Sequence, residues 1–266
     1  MSLWFHTLLP RPAAAMRLIC LPFAGGSASH YQPFASGLPP WVELCAAQLP
    51  GRSTRLREAP CQRIDEVVEA LRRHIPLDKP WLLFGHSLGC RLGMSLMQAL
   101  QKHGQCLPLH FIASGCRPLH LIRDISPMSS LSDTAFIQRL HGYGGTPPEL
   151  LAHQELMALF LPMLRADFRL VEDYQLSSAT PLPLPVTIMG GRQDQNVPVV
   201  ELPQWQALFT DPATILLFEG GHFFIQQQRQ AVVEALAQIL RCYHIGEIIE
   251  DTSCLLSPNL IARKNL

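Results

Sequence analysis

The chain has 266 residues, 48% hydrophobic and 16% charged, with 21 basic and 21 acidic residues for a formal net charge of zero. That length suits one large core, so a single domain over 1–266 is expected. Balanced charge gives no electrostatic pull toward nucleic acid or a membrane surface, and no apolar run approaches the ~20 residues needed to span a bilayer.

The N-terminal stretch, MSLWFHTLLPRP, lacks a basic n-region and reads poorly as a secretory signal. The 8 cysteines show neither a C-x-x-C pair nor a zinc-like spacing with histidine. Reduced thiols in a cytoplasmic protein, with no metal site, are the expectation.

Strand-length apolar runs alternate with helical periodicity from there on. Residues 17–21, 42–47, 81–84, 109–113, 186–189 and 214–218 read as short strands, apolar on both faces, as buried parallel strands are. Ile64, Val67, Val68, Leu71 and Ile75 share one helical face, as do Val232, Val233, Leu236, Ile239 and Leu240. The alternation predicts an α/β fold, a mostly parallel central sheet with helices on both faces. Residues 118–180 break the rhythm with helical segments near 133–140, 149–161 and 165–174. This helical insertion reads either as a lid over a site at the strands' C-terminal edge or as an excursion that only adds core. The tail from about 243 to 266 is ambiguous.

Gly85-His86-Ser87-Leu88-Gly89 follows the strand 81–84 and opens the helical run 88–100. The glycines let strand and helix close tightly around the serine, so that its hydroxyl stands clear of the sheet. Ser87 is therefore the candidate nucleophile, and the helix N-terminus beside it favours developing negative charge. His86 is its neighbour in sequence, so its side chain should point away from the hydroxyl.

A serine hydroxyl needs a base, and the base needs a carboxylate to fix its tautomer. His222, in Gly220-Gly221-His222-Phe223-Phe224, follows the last strand and precedes the last helix. Asp194 follows the strand 186–189, which gives the order Ser, Asp, His along the chain. The loop after 109–113 holds no carboxylate before Asp124, which is too distant. The expected oxyanion donors are the backbone N–H groups of Leu88, just after the nucleophile, and of Ala24 in Pro22-Phe23-Ala24-Gly25-Gly26-Ser27. Neither a metal nor an organic cofactor is required by this chemistry.

Five phrases in order carry a resemblance: Leu21-Pro22-Phe23-Ala24-Gly25-Gly26-Ser27, Leu49-Pro50-Gly51-Arg52, Phe84-Gly85-His86-Ser87-Leu88-Gly89, Leu164-Arg165-Ala166-Asp167-Phe168 and Gly220-Gly221-His222-Phe223-Phe224. Over about residues 18–240 the chain resembles the type II, stand-alone thioesterases that accompany polyketide synthases and non-ribosomal peptide synthetases. The resemblance implies an α/β-hydrolase fold and the triad Ser87, Asp194 and His222, with the middle helices as a lid. It also implies hydrolysis of acyl groups from the phosphopantetheine thiol of carrier-protein domains, in an editing role. Leu88 departs from the methionine usual in that family, with little effect expected on a backbone contact. A carboxylesterase or lipase shares the triad and is the alternative, followed by a non-catalytic binding module on the same scaffold.

Overall fold

The computed structural model of the protein describes residues 2–121 and 127–244. Asp124 and all of the expected tail beyond His244 lie outside the described residues.

Seven strands form one sheet in the order β1-β3-β2-β4-β5-β6-β7. They are β1 (Phe5–Leu9), β2 (Met16–Leu21), β3 (Val42–Ala47), β4 (Trp81–His86), β5 (Phe111–Ser114), β6 (Val186–Gly191) and β7 (Thr214–Phe218). All neighbours are parallel except β1, which runs antiparallel to β3. The period-two alternation of strand side chains divides the core into two layers. Ile19, Leu21, Leu83, Phe111 and Ile188 face the side covered by α1 (Ile64–His74) and α2 (Leu88–Lys102). Leu18, Cys20, Leu44, Phe84 and Ile112 face the other side, under a 3₁₀ stretch (Ala28–Gly37), α6 (Phe224–Gln227) and α7 (Arg229–Arg241). The six strands expected from apolar runs are thus all present in a mostly parallel sheet.

Three differences have clear physical causes. β1 has no strand signature of its own, with His6 and Thr7 in its five residues; pairing with β3 creates it, in the register Phe5↔Ala47. β7 is an edge strand of which only Phe218 is buried, because it has a neighbour on one side alone. The segments expected at 149–161 and 165–174 are redistributed into a short α4 (Pro148–Leu151) and a continuous α5 (Gln154–Glu172). Pro162 lies inside α5, where it removes one helical hydrogen bond. Buried Leu161, Met163 and Leu164 on either side of it hold the helix together.

With α3 (Asp133–Tyr143), the helices α4 and α5 build a third cluster around Met128, Phe136, Leu140, Met157, Leu161 and Phe168. Among the described residues no strand lies between 118 and 180. No helix of the described residues is long and apolar enough to cross a membrane, and no disulfide joins the described cysteines.

His110 locks the sheet to the end of the last described helix. It is 5% exposed, with one ring nitrogen 2.9 Å from Thr187 Oγ1 on β6 and the other 2.9 Å from the Tyr243 hydroxyl. Burial pushes its pKa down from 6.5 to about 4. Between those values the unfolded chain binds the proton more readily, so stability is complete above pH 6.5 and falls as pH drops toward 4. Urea denaturation across this range should show an acid-side loss of up to about 3 kcal/mol attributable to this group. The His110→Gln variant should show a correspondingly shallower pH dependence.

Candidate active site

The turn at Ser87 is strained in the expected way. Ser87 has φ 54° and ψ −108°, outside the comfortable regions for a residue with a side chain. Gly85 and Gly89 make the turn possible. A Cβ on Gly85 would lie 2.4 Å from the Gly89 carbonyl oxygen, and one on Gly89 would lie 2.5 Å from that of Leu21. The Ser87 N–H donates to the Ser114 carbonyl at 2.9 Å, fastening the turn to the end of β5.

The structure brings Ser87, His222 and Asp194 together from three loops. The Ser87 hydroxyl lies 3.0 Å from His222 Nε2, and His222 Nδ1 lies 2.8 Å from Asp194 Oδ2. An ionised carboxylate only accepts, so Nδ1 carries the proton and Nε2 is left to accept from the serine. Asp194 is held in turn, its Oδ1 accepting the backbone N–H groups of Asn196 at 2.8 Å and Val197 at 3.2 Å. The loops of Asp194 and His222 touch because Gly191 has no side chain: a Cβ there would meet the carbonyl oxygens of Gly221 and Gly220 at 2.5 and 2.6 Å.

Rings enclose the imidazole. Tyr143 and Phe223 meet the His222 ring edge-on at centroid distances of 5.5 and 5.4 Å, and the His86 ring lies at 5.3 Å. His86 points away from the serine, with Nδ1 2.9 Å from Ser114 Oγ. Burial drives its pKa well below the ordinary histidine range, so it is neutral beside His222.

Leu88 is the first residue of α2, where backbone N–H groups lack a partner one turn back. Ala24 sits in a turn closed by the Gly26 N–H donating to the Phe23 carbonyl at 2.8 Å, with Gly25 at φ 79°, the pattern of a type II turn. No acceptor among the described residues is bonded to the Ala24 N–H. Ser87, His222 and Ala24 all line one cavity of about 710 Å³, whose other walls include Leu140, Met157, Met163, Leu164 and Phe168 of the helical insertion.

Sequence reasoning assigned no role to Tyr143, Arg52 or Asp167. The last two lay within phrases that carried the resemblance. Their 2.6 Å ion pair joins positions 115 residues apart, a contact with no local signal.

A parallel sheet bearing a serine on a strand-to-helix turn, with histidine and aspartate on later loops, defines a serine hydrolase of the α/β-hydrolase class. The chain belongs to the thioesterase family: residues 16–240 match the family model described as "Thioesterase domain". It is similar to the gramicidin S biosynthesis protein GrsT of Aneurinibacillus migulanus, at 31% identity over 90% of this chain and 94% of that one. Thioesterase PikA5 of Streptomyces venezuelae is 34% identical over 85% of this chain and 82% of its own. Among solved structures, the type II thioesterase BorB from the borrelidin biosynthetic cluster superposes with a TM-score of 0.81 at 31% identity, covering 89% of this chain and 97% of that one. The protein is an enzyme acting on thioesters.

Replacing the carboxylate tests the hydrogen-bond chain directly. Asp194→Asn presents an amide to His222 and favours the wrong tautomer, so kcat on a soluble acyl thioester should fall roughly 10⁴-fold while the circular dichroism spectrum is retained.

Proposed function

We propose that the protein hydrolyses acyl groups from the phosphopantetheine thiol of carrier-protein domains, clearing blocked units from a polyketide or non-ribosomal peptide assembly line in the cytoplasm. The observation that carries the chemistry is the hydrogen-bonded series Ser87, His222, Asp194 at a cavity walled in part by apolar side chains of the helical insertion. The choice of assembly line over other thioester pools is supported by the relatives. Their names place GrsT in gramicidin S biosynthesis and BorB in the borrelidin cluster, and ClbQ, similar at 29% identity with a TM-score of 0.80, in the colibactin pathway.

In this reading Ser87 gives its proton to His222 Nε2 as its oxygen attacks the thioester carbonyl. The oxyanion is received by the N–H groups of Ala24 and Leu88. The bond to sulfur breaks, and the thiol leaves with the proton from His222. A water molecule then gives its proton to His222 and attacks the acyl-serine, releasing the acid and restoring Ser87. A thiolate is a good leaving group, so this step asks less of the general acid than amide cleavage would. No metal or organic cofactor takes part. The described residues act as one domain, in which helices α3, α4 and α5 cap the acyl group and exclude water.

Two measurements test the reading. A fluorophosphonate probe should label the protein and fail to label Ser87→Ala; labelling that survives the substitution would overturn the nucleophile assignment. The kcat/KM on an octanoyl-phosphopantetheine carrier protein should exceed that on p-nitrophenyl octanoate. A clear preference for the simple ester would favour a carboxylesterase instead.

A further inference from the structure

We propose that Arg52 and Asp167 form a buried clamp that positions the Ala24 amide in the oxyanion hole, making the insertion helix α5 part of the scaffold of that hole. The proposal rests on the reading above, in which Ser87 is the nucleophile and Ala24 a donor.

The side chains of Arg52 and Asp167 are 4% and 1% exposed. Their pairing is bidentate, Nη1 to Oδ2 at 2.6 Å and Nη2 to Oδ1 at 2.7 Å. The carboxylate does a second thing: Oδ2 also accepts the Gly25 N–H at 2.7 Å, across 142 positions of sequence. The guanidinium does likewise, with Nη1 donating to the Gly26 carbonyl at 3.2 Å. The pair therefore holds two consecutive residues of the turn, one by its N–H and the other by its C=O.

The support extends in both directions. One turn before Asp167 on α5, Leu164 lies against Gly25 so closely that a Cβ there would be 2.7 Å from Leu164 Cδ2. Behind Arg52, the Gln48 side chain donates to the Arg52 carbonyl at 3.2 Å and accepts the Ala28 N–H at 3.2 Å. The loop is thus fixed at positions 25, 26 and 28. The Ala24 N–H, at the cavity wall, is bonded to no acceptor among the described residues.

Stability alone does not account for such a pair, since apolar residues of similar volume often serve a buried position as well or better. What apolar side chains cannot do is hydrogen-bond the peptide groups of the turn. Bonds from an amide to a carboxylate are shorter and stronger than neutral ones. An oxyanion donor works by being in place before charge develops, and small misplacements are costly. Asp167 is not part of the cavity lining, whereas Arg52 reaches its wall; both are positioning residues that act through Ala24, and a KM effect is the sign of any direct contact of Arg52 with substrate.

The test uses the double variant Arg52→Met/Asp167→Leu, which removes both buried charges, beside Arg52→Gln/Asp167→Asn, which keeps a neutral acceptor for the Gly25 N–H. On octanoyl-CoA the apolar pair should lower kcat roughly 10²-fold with KM held within about twofold. Affinity for an octyl trifluoromethyl ketone, whose adduct oxygen occupies the hole, should fall in the same proportion. The amide pair should recover much of both. Wild-type kcat and inhibitor affinity in the folded apolar variant would overturn the proposal, as would a loss carried by KM. Should the apolar pair fail to fold, Arg52→Lys is judged by the same criteria, because it keeps the charge and loses the fork. Ser87→Ala is run alongside. If it retains turnover, the functional reading itself fails; if it is inactive while the clamp variants match wild type, only the clamp does.

Discussion

Everything at the site depends on how closely helix α2 packs against the sheet at Ser87. The serine adopts a left-handed backbone conformation that costs about 1–3 kcal/mol and persists only where the surroundings enforce it. Here Gly85 and Gly89 bring strand, turn and helix within distances that no side chain could occupy, and the Ser87 N–H is bound to the end of β5. The core on both faces of the sheet stabilises this geometry. One consequence is that the hydroxyl stands above the carboxyl ends of the strands. Another is that α2 begins directly after the serine.

Around that fixed point the other groups come from loops that are themselves tied to one another. Gly191 lets the aspartate loop rest on the histidine loop, and Asp194 is held by two backbone N–H groups before it meets His222. The imidazole is then bounded by Tyr143, Phe223 and His86, so its orientation is set by packing as well as by hydrogen bonds. Tyr143 belongs to α3 of the helical insertion, and its ring also meets Phe168 of α5 at 5.7 Å. The insertion is thus in contact with the histidine on one side and, through Asp167, with the Gly25 loop on the other. An element that reads from its sequence as a cover is also built into the walls beneath it.

Much of this was legible in the sequence because the signals were local. Continuous apolar runs marked the parallel strands, and glycines flanking Ser87 marked its turn. Positions just after β6 and β7 marked Asp194 and His222. Illegible features lacked local signals. β1 exists through its pairing with β3, and the continuity of α5 through Pro162 depends on buried neighbours on both sides. Tyr143 could not be connected with His222 by any periodicity.

The sequence by itself determined the order of the strands' apolar runs, the strained serine turn and the identity of the three polar residues. Each of these is encoded by residues within a few positions of one another. Tertiary structure alone decided that Arg52 and Asp167 meet over Gly25, that α5 supports the loop around Gly25 and that a cavity of about 710 Å³ opens at Ser87. Such contacts join segments more than a hundred residues apart, and they exist only once burial has brought those segments together. Five residues sufficed to single out Ser87 as a candidate nucleophile; the cavity beside it is assembled from segments far apart in the chain.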